Sequence, residues 1–378
     1  MPADRSSTPD SHSRHLSRRS ALRGLMSAAS ALAVAGCATM AGTGPETTAA
    51  IISQPTVLVA TTRKPVNGGH SKPWFGPDRA RGGAVTVALA KLRPPGGGRF
   101  LGIGDWAISS VEPTPQLATL LGDATNRDIL MYVHGYNQSF EQAVLDGARL
   151  SDSVRFAGDT MVFSWPSRGS VFDYNFDRES AMLSRDALDQ EIEDLLASPA
   201  VGRVNIVAHS VGTGVTTEAL RVLYAKLGDY AADRVGAIVL ASPDIDMDVF
   251  MAAIPRIGPL AGKITVITAT DDRALAVSRM VNGSSTSRVG AAEKAQLEGL
   301  GVKVIDASQQ GWGVLNHDLF LSNAGVRQAI RDAIGGPPSH LFSMPSIQIG
   351  ESLPPPLAPA PPPAPTMGAA PAPGAAAN

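Results

Sequence analysis

Residues 204–212 read Val204-Asn205-Ile206-Val207-Ala208-His209-Ser210-Val211-Gly212. The first five are apolar except for Asn205, with the length and β-branched content of a buried strand. Helical spacing begins just beyond, with Val215, Ala219, Val222 and Leu223 on one face and Gly228 placed to end it. Between strand and helix stands Ser210, with small Ala208 and Gly212 on either side. An alcohol is a poor nucleophile at neutral pH, and a tight strand-to-helix corner with small neighbours is one way to expose its oxygen. The plainer reading of Ser210 is a helix cap.

Working outward, seven more short apolar runs resemble this strand: 56–61, 84–92, 129–133, 160–164, 236–241, 264–269 and 302–306. Near-continuous apolar runs suit a sheet covered on both faces, and from the third onward helical patterns fill the intervals. Ser139 and Gln142 form a capping box before a segment that ends near Ser153. Leu183, Leu188, Ile192, Leu195 and Leu196 mark a second helix face, and a last helix covers about 323–334. The expected architecture is α/β: a mostly parallel eight-stranded sheet with helices on both faces.

A nucleophile needs a base, and the chain has seven histidines. His12 and His15 lie in the leader, His340 in the tail, His70 in a Gly-rich loop, and His209 beside the serine. His134 belongs to His134-Gly135-Tyr136-Asn137, a loop after the third run whose backbone N–H groups suit an oxyanion. His317, between the last strand and the last helix, remains as the base. The orienting acid belongs on a loop at the carboxyl end of an intervening strand. Asp272 is preferred, Asp244 is the runner-up and Asp271 the third choice, so that Ser210, Asp272 and His317 follow in chain order. The oxyanion donors expected are the N–H groups of Tyr136 and Val211, with Gly135 allowing close approach and His134 holding the loop.

Trp165, Arg168 and Tyr174 read either as a substrate wall or as a packed aromatic with a surface ion pair. Asp177-Arg178-Glu179 reads as the opening of a helix with exposed charge pairs. Asp244, Asp246 and Asp248 imitate the start of a calcium loop, but Val249 stands where Gly is required and Pro255 where the final Glu would be. No metal or organic cofactor is expected.

The whole chain has 378 residues, 44% hydrophobic and 17% charged, which suits one large or two ordinary domains and excludes disorder as the dominant state. A formal charge of -2 offers no strong field for a polyanion, so no nucleic-acid partner is expected. The single Cys37 excludes an internal disulfide. No apolar run reaches the roughly 20 residues that span a bilayer. Residues 1–36 read as an export signal, basic through Arg18 and Arg19 and then weakly apolar. The paired arginines resemble a twin-arginine signal, although Ala21 stands where that pattern usually has Phe. Val34-Ala35-Gly36-Cys37 resembles a lipobox, which makes Cys37 a lipidation site and the protein an exported, membrane-anchored one of the cell envelope. Residues 37–50 read as a linker, 51–334 as the domain, and 335–378 as a Pro- and Ala-rich tail that cannot build a core.

Six further stretches carry a resemblance: Thr61-Thr62-Arg63-Lys64-Pro65, Val133-His134-Gly135-Tyr136-Asn137, Phe163-Ser164-Trp165-Pro166-Ser167, Ala208-His209-Ser210-Val211-Gly212, Leu240-Ala241-Ser242-Pro243-Asp244 and Asp272-Arg273-Ala274-Leu275. Together they resemble bacterial α/β-hydrolase-fold proteins of the esterase/lipase superfamily, over about residues 51–334. The resemblance implies that fold and a hydrolase, and says little about substrate. This chain carries Val211-Gly212-Thr213 where such relatives often have Met, Gly and Asn. Together with the serine corner it makes serine-dependent hydrolysis of a small-molecule acyl ester the expected activity. The rival expectations are a silent hydrolase-fold binding protein and an acyltransferase using the same triad.

Overall fold

Alternation along the strands decides the layers. In a computed structural model of the chain, residues 55–94, 106–114, 121, 126–170, 172–268, 287–308 and 323–335 are described. The central sheet is built from β1 (Thr56–Thr61), β4 (Thr86–Arg93), β5 (Ala107–Thr114), β6 (Arg127–Val133), β7 (Asp159–Ser164), β8 (Val201–His209), β9 (Val235–Ala241), β10 (Ile264–Thr268) and β11 (Lys303–Asp306). Its order is β11-β10-β9-β8-β6-β7-β1-β4-β5. From β11 to β1 every pairing is parallel, and β1, β4 and β5 pair antiparallel. A separate two-stranded ribbon joins β2 (Arg63–Pro65) to β3 (Phe75–Arg79).

Successive residues of a strand point to opposite faces, and here both faces are dry. On β6, Ile129, Met131 and Val133 enter one core while Leu130 and Tyr132 enter the other, all of them fully buried. The first core is closed by α2 (Tyr174–Leu183), α3 (Arg185–Ala197), α4 (Val211–Leu227) and α6 (Met247–Ile257). It also takes Ala231 and Ala232 from α5 (Asp229–Arg234) and Leu297 from α7 (Lys294–Glu298). The second is closed by α1 (Phe140–Val154) and α8 (Ala324–Ala333), through Phe140, Ala143, Val144, Val326 and Ile330. Full burial of such side chains contributes roughly 1.5–3 kcal/mol each. That is why the apolar runs of the sequence were nearly unbroken.

All eight expected strands are present, and the sheet has a ninth. Ala-Ile-Ser-Ser-Val-Glu-Pro-Thr at β5 carries only one fully buried side chain, Val111, because an antiparallel edge strand is half wetted. Pro113 is tolerated there for the same reason. The Ser139–Gln142 capping box is formed in both directions, at 3.1 and 2.8 Å. Gly228 ends α4 at φ 54°, and Asn323 caps α8 with its side-chain oxygen. One helix expectation is corrected. Leu183 does not share a face with Leu188 and Ile192; it ends α2 and is exposed, and the chain breaks at Ser184 before α3 begins. Among the described residues, no helix is long and apolar enough to cross a membrane.

Candidate active site

β8 delivers the chain to Ser210 and α4 carries it away, so the serine occupies a corner with no room for relaxed backbone. Its φ and ψ are 51° and -124°, a strained region for any residue other than glycine. Four hydrogen bonds hold it there. The Ser210 N–H donates to Ala241 O at 3.0 Å, and Ser210 O accepts from the Thr213 N–H at 3.0 Å, the Thr213 hydroxyl at 2.6 Å and the Asp244 N–H at 3.3 Å. A plain N-cap serine would accept a backbone N–H of the first turn with its side-chain oxygen, and the Ser210 side chain makes no such bond.

Two glycines bring the neighbouring loop against this corner. A Cβ at Gly212 would collide with the His134 carbonyl, and one at Gly135 would lie 2.9 Å from Ser210 Cβ and 2.7 Å from His209 Nδ1. The 134–138 loop therefore touches the serine corner directly. Val211 opens α4, and its N–H is among the four that a helix cannot use internally. Anionic charge is favoured at that end of a helix.

His134 sits beneath the loop, wholly buried and stacked on Trp165 with ring centres 4.5 Å apart and planes inclined by 13°. The Trp165 indole N–H donates to His134 O at 2.9 Å, and the two imidazole nitrogens face Gly135 O at 2.7 Å and Trp165 O at 3.0 Å. Burial, and then the charge of Arg63, lower its pKa to about 3. A neutral, sealed imidazole of this kind supports the loop and cannot reach a substrate. Trp165 is likewise fully buried, which settles its two readings in favour of a packed aromatic.

Arg168 is on the surface, where it pairs with Asp173 at 2.9 Å and lies 3.8 Å over the Phe176 ring. Tyr174 has a different place. Its hydroxyl donates to Asp244 Oδ2 at 2.6 Å, and its ring meets Tyr136 edge-on at 5.3 Å. The Tyr136 hydroxyl donates to Ser170 O at 3.2 Å, and burial raises its pKa.

Asp244 lies beside Ser210 through its N–H, and its carboxylate pairs with Arg288 at 3.2 Å, both side chains almost wholly buried. Asp246 caps α6 by accepting from the Asp248 N–H at 3.0 Å. The would-be calcium run thus divides into an ion-paired carboxylate and a helix cap. No cluster of metal-ligating side chains occurs among the described residues.

Asp271, Asp272 and His317 lie outside the described residues, as do Cys37, the leader and the tail. The structure thus brings together Ser210, Val211, Tyr136 and Asp244. β10 and β11, which precede Asp272 and His317 in sequence, run parallel to β9 and β8 and end at the same edge of the sheet as His209.

A correction concerns Asp177. It lies in the first turn of α2, where the helix was expected to open, and Glu179 makes an exposed pair with Arg79, but Asp177 itself is fully buried. Its oxygens accept from the Asn137 N–H at 3.2 Å, the Arg168 N–H at 2.8 Å and the Ser167 hydroxyl. Desolvation raises its pKa. Arg63, at the start of β2, is a second buried charge, and burial lowers its pKa to about 9. The sequence pattern marks neither residue as part of a site. An arginine placed immediately after a buried strand was the available signal for Arg63.

Residues 110–333, more than half of the chain, match the family described as an alpha/beta hydrolase of unknown function, DUF900. The chain belongs to the DUF900 family. This DUF900 chain is 27% identical over 122 residues to an uncharacterized protein of Nostoc sp., alr1448, a match that covers 26% of this chain. The chain spans about a third of the length of that curated relative, 32%. Among solved structures, an esterase of Pyrobaculum calidifontis is 13% identical with a TM-score of 0.34, covering 67% of this chain and 81% of that one. A cutinase-like protein from Cryptococcus sp. is 16% identical with a TM-score of 0.33, covering 57% and 98%. At this level of overlap, neither likeness bears on mechanism or substrate. The DUF900 chain has the alpha/beta hydrolase fold, with a mostly parallel central sheet and helices on both sides.

Proposed function

We propose that this DUF900 chain is a serine-dependent hydrolase of carboxylic esters that works through an acyl-enzyme. The observation that carries the reading is the strained Ser210 corner between β8 and α4, held at φ 51° and ψ -124° against the 134–138 loop. Strain kept at one residue by four hydrogen bonds calls for a use, and exposing a nucleophilic oxygen is one.

In the proposed mechanism, His317 takes the proton of the Ser210 hydroxyl as its oxygen attacks the ester carbonyl, and Asp272 orients the imidazole. The N–H groups of Tyr136 and Val211 receive the negative charge of the tetrahedral intermediate. The alcohol leaves with the proton from His317, and water then releases the acid by the same route. No metal or organic cofactor enters the scheme. The parallel run of β8 to β11 supports it, since ligands collect at the carboxyl edge of such a sheet. The substrate class is a small-molecule acyl ester.

Ser210→Ala tests the reading. It should abolish labelling by a fluorophosphonate probe and lower turnover of p-nitrophenyl esters by on the order of 10⁴ to 10⁶, as comparable triad deletions do elsewhere. With His317 as base, wild-type turnover should rise with pH through about 6 to 7.5. A wild-type protein that neither labels nor turns over esters would instead be a silent binding protein. Acyl transfer to an added alcohol in preference to water would make it a transferase.

We further propose export through residues 1–36 and anchoring through lipid on Cys37, which the lipobox-like Val34-Ala35-Gly36-Cys37 supports. Fractionation of cells carrying Cys37→Ala should move the protein from membrane to soluble fractions. Retention in the membrane would refute the anchor.

A further inference from the structure

Arg63 and Asp177 are both buried, and no ion pair joins them directly. Arg63 instead meets neutral groups. Its Nε–H donates to Ser164 Oγ at 2.9 Å, Nη1 to Ser167 O at 3.0 Å and Nη2 to Gln138 O at 2.7 Å, while Nη2 also approaches His134 Nε2 at 3.4 Å. Asp177, from the far side, accepts backbone N–H groups from the same two loops.

The peptide unit between Ser167 and Arg168 is therefore gripped at both ends. Its carbonyl faces the guanidinium and its N–H faces the carboxylate, at 3.0 and 2.8 Å. The 134–138 loop is held at two successive points, with Gln138 O, in the 138–139 peptide, on Arg63 and the Asn137 N–H, in the 136–137 peptide, on Asp177. Ser167 ties the loops together, its Oγ accepting the Gln138 N–H at 3.1 Å while its hydroxyl donates to Asp177. Rotating the 167–168 peptide would turn its carbonyl toward the carboxylate and its N–H toward the cation, and rotating the 136–137 or the 138–139 peptide would lose the bond that it makes to one of them. In a buried site of low dielectric, such a reversal costs far more than in water.

We infer that Arg63 and Asp177 form an ion pair bridged by peptide units, and that they are positioning residues which hold the 134–138 loop, and with it the Tyr136 N–H, in place to receive the oxyanion beside Ser210. This rests on the esterase reading for its chemistry, but the grip itself does not. Stabilisation of developing charge depends on donors fixed before reaction. A misplacement of about 1 Å can cost roughly a hundredfold in rate. Asn137, at φ 60°, also keeps a conformation that an unheld loop would relax.

The test compares the full chain with Arg63→Gln, Arg63→Lys, Asp177→Asn and the milder Ser167→Ala. On p-nitrophenyl butyrate, Arg63→Gln and Asp177→Asn should lower kcat by roughly 10- to 100-fold with KM changed less than about threefold. Arg63→Lys should be nearly as impaired, since an ammonium cannot reach three acceptors in the plane of a fork. Amide hydrogen exchange read by mass spectrometry should accelerate in peptides covering 134–140 and 165–170, with the peptides of β8 and β9 unchanged. Ser167→Ala should give the same pattern at smaller amplitude, and it decides the matter if the charge variants fail to fold. Native kcat in folded variants, full rescue by Arg63→Lys, or unchanged exchange in both loops would overturn the inference. If the wild type neither hydrolyses esters nor takes the phosphonate label, the esterase reading falls. The grip is then judged on exchange alone, where faster exchange confined to those loops upholds it and native exchange overturns it.

Discussion

Two buried arginines flank the serine corner, and they manage their charge in opposite ways. Arg288 sits against the Asp244 carboxylate at 3.2 Å, cation to anion. Arg63 touches only neutral oxygens and a ring nitrogen, and meets its counter-charge through a peptide. The difference teaches what each is suited to do. A direct pair fastens two segments, here 287–290 and 242–247, which also share the Met247, Val289 and Gly290 backbone bonds. A bridged pair orients whatever backbone lies between its ends.

The largest expected effect breaks the direct pair. Arg288→Met should destabilise the fold by about 3 to 5 kcal/mol in urea titrations, because it removes one member of a buried ion pair. The double variant Arg288→Met with Asp244→Leu should recover part of that loss, since replacing both members with apolar groups is often near neutral while the Tyr174 hydroxyl loses its acceptor. A single variant that costs less than about 1 kcal/mol would place this pair with surface ion pairs and remove the contrast.

A smaller effect sharpens the other side. His134 belongs to the Arg63 neighbourhood, and its pKa falls from the ordinary 6.5 to about 3. Between those values the unfolded chain binds a proton that the folded chain refuses, so stability from this group rises with pH, by roughly 3 kcal/mol from pH 4 to pH 7. Glu191, buried in α3, acts in the opposite direction. Its pKa is raised by burial from 4.5 to about 7. The folded chain then keeps a proton that the unfolded chain releases, and stability falls by a similar amount over the same window. The two should nearly cancel in the wild type. His134→Gln should expose a net decline with rising pH, and Glu191→Gln a net rise. Parallel stability curves for wild type and His134→Gln would mean that the imidazole is not sealed beside Arg63.

Legibility followed sequence distance. The corner at Ser210 could be read because strand, turn and helix lie within one short stretch, each with its own local signal. The same holds for the apolar runs of β6 to β10, where burial on both faces writes itself into nearly every residue. β5 could not be read this way, because its half-wetted edge alternates weakly and carries a proline. Asp177 reads as a surface residue because acidic residues are usual in the first turn of a helix. Only the return of two loops from 137 and 167 encloses it. Arg63 stood within a motif that carried a family resemblance, but its acceptors lie 71 to 104 positions away. A partner so remote leaves no trace in local pattern. Arg288, too, finds Asp244 only through tertiary packing.

One boundary takes on a practical meaning from the ribbon that carries Arg63. The segment matched to the family starts at residue 110, and a fragment trimmed to that point would still contain Ser210, Asp177 and both loops. It would lack β1, and with it the strand that covers one side of β7. It would also have dropped the only guanidinium that reaches the Gln138 and Ser167 carbonyls among the described residues. Anyone shortening this protein for expression or crystallisation should keep the first strand and the ribbon, since β1 supplies buried side chains to both cores and Arg63 holds the two loops.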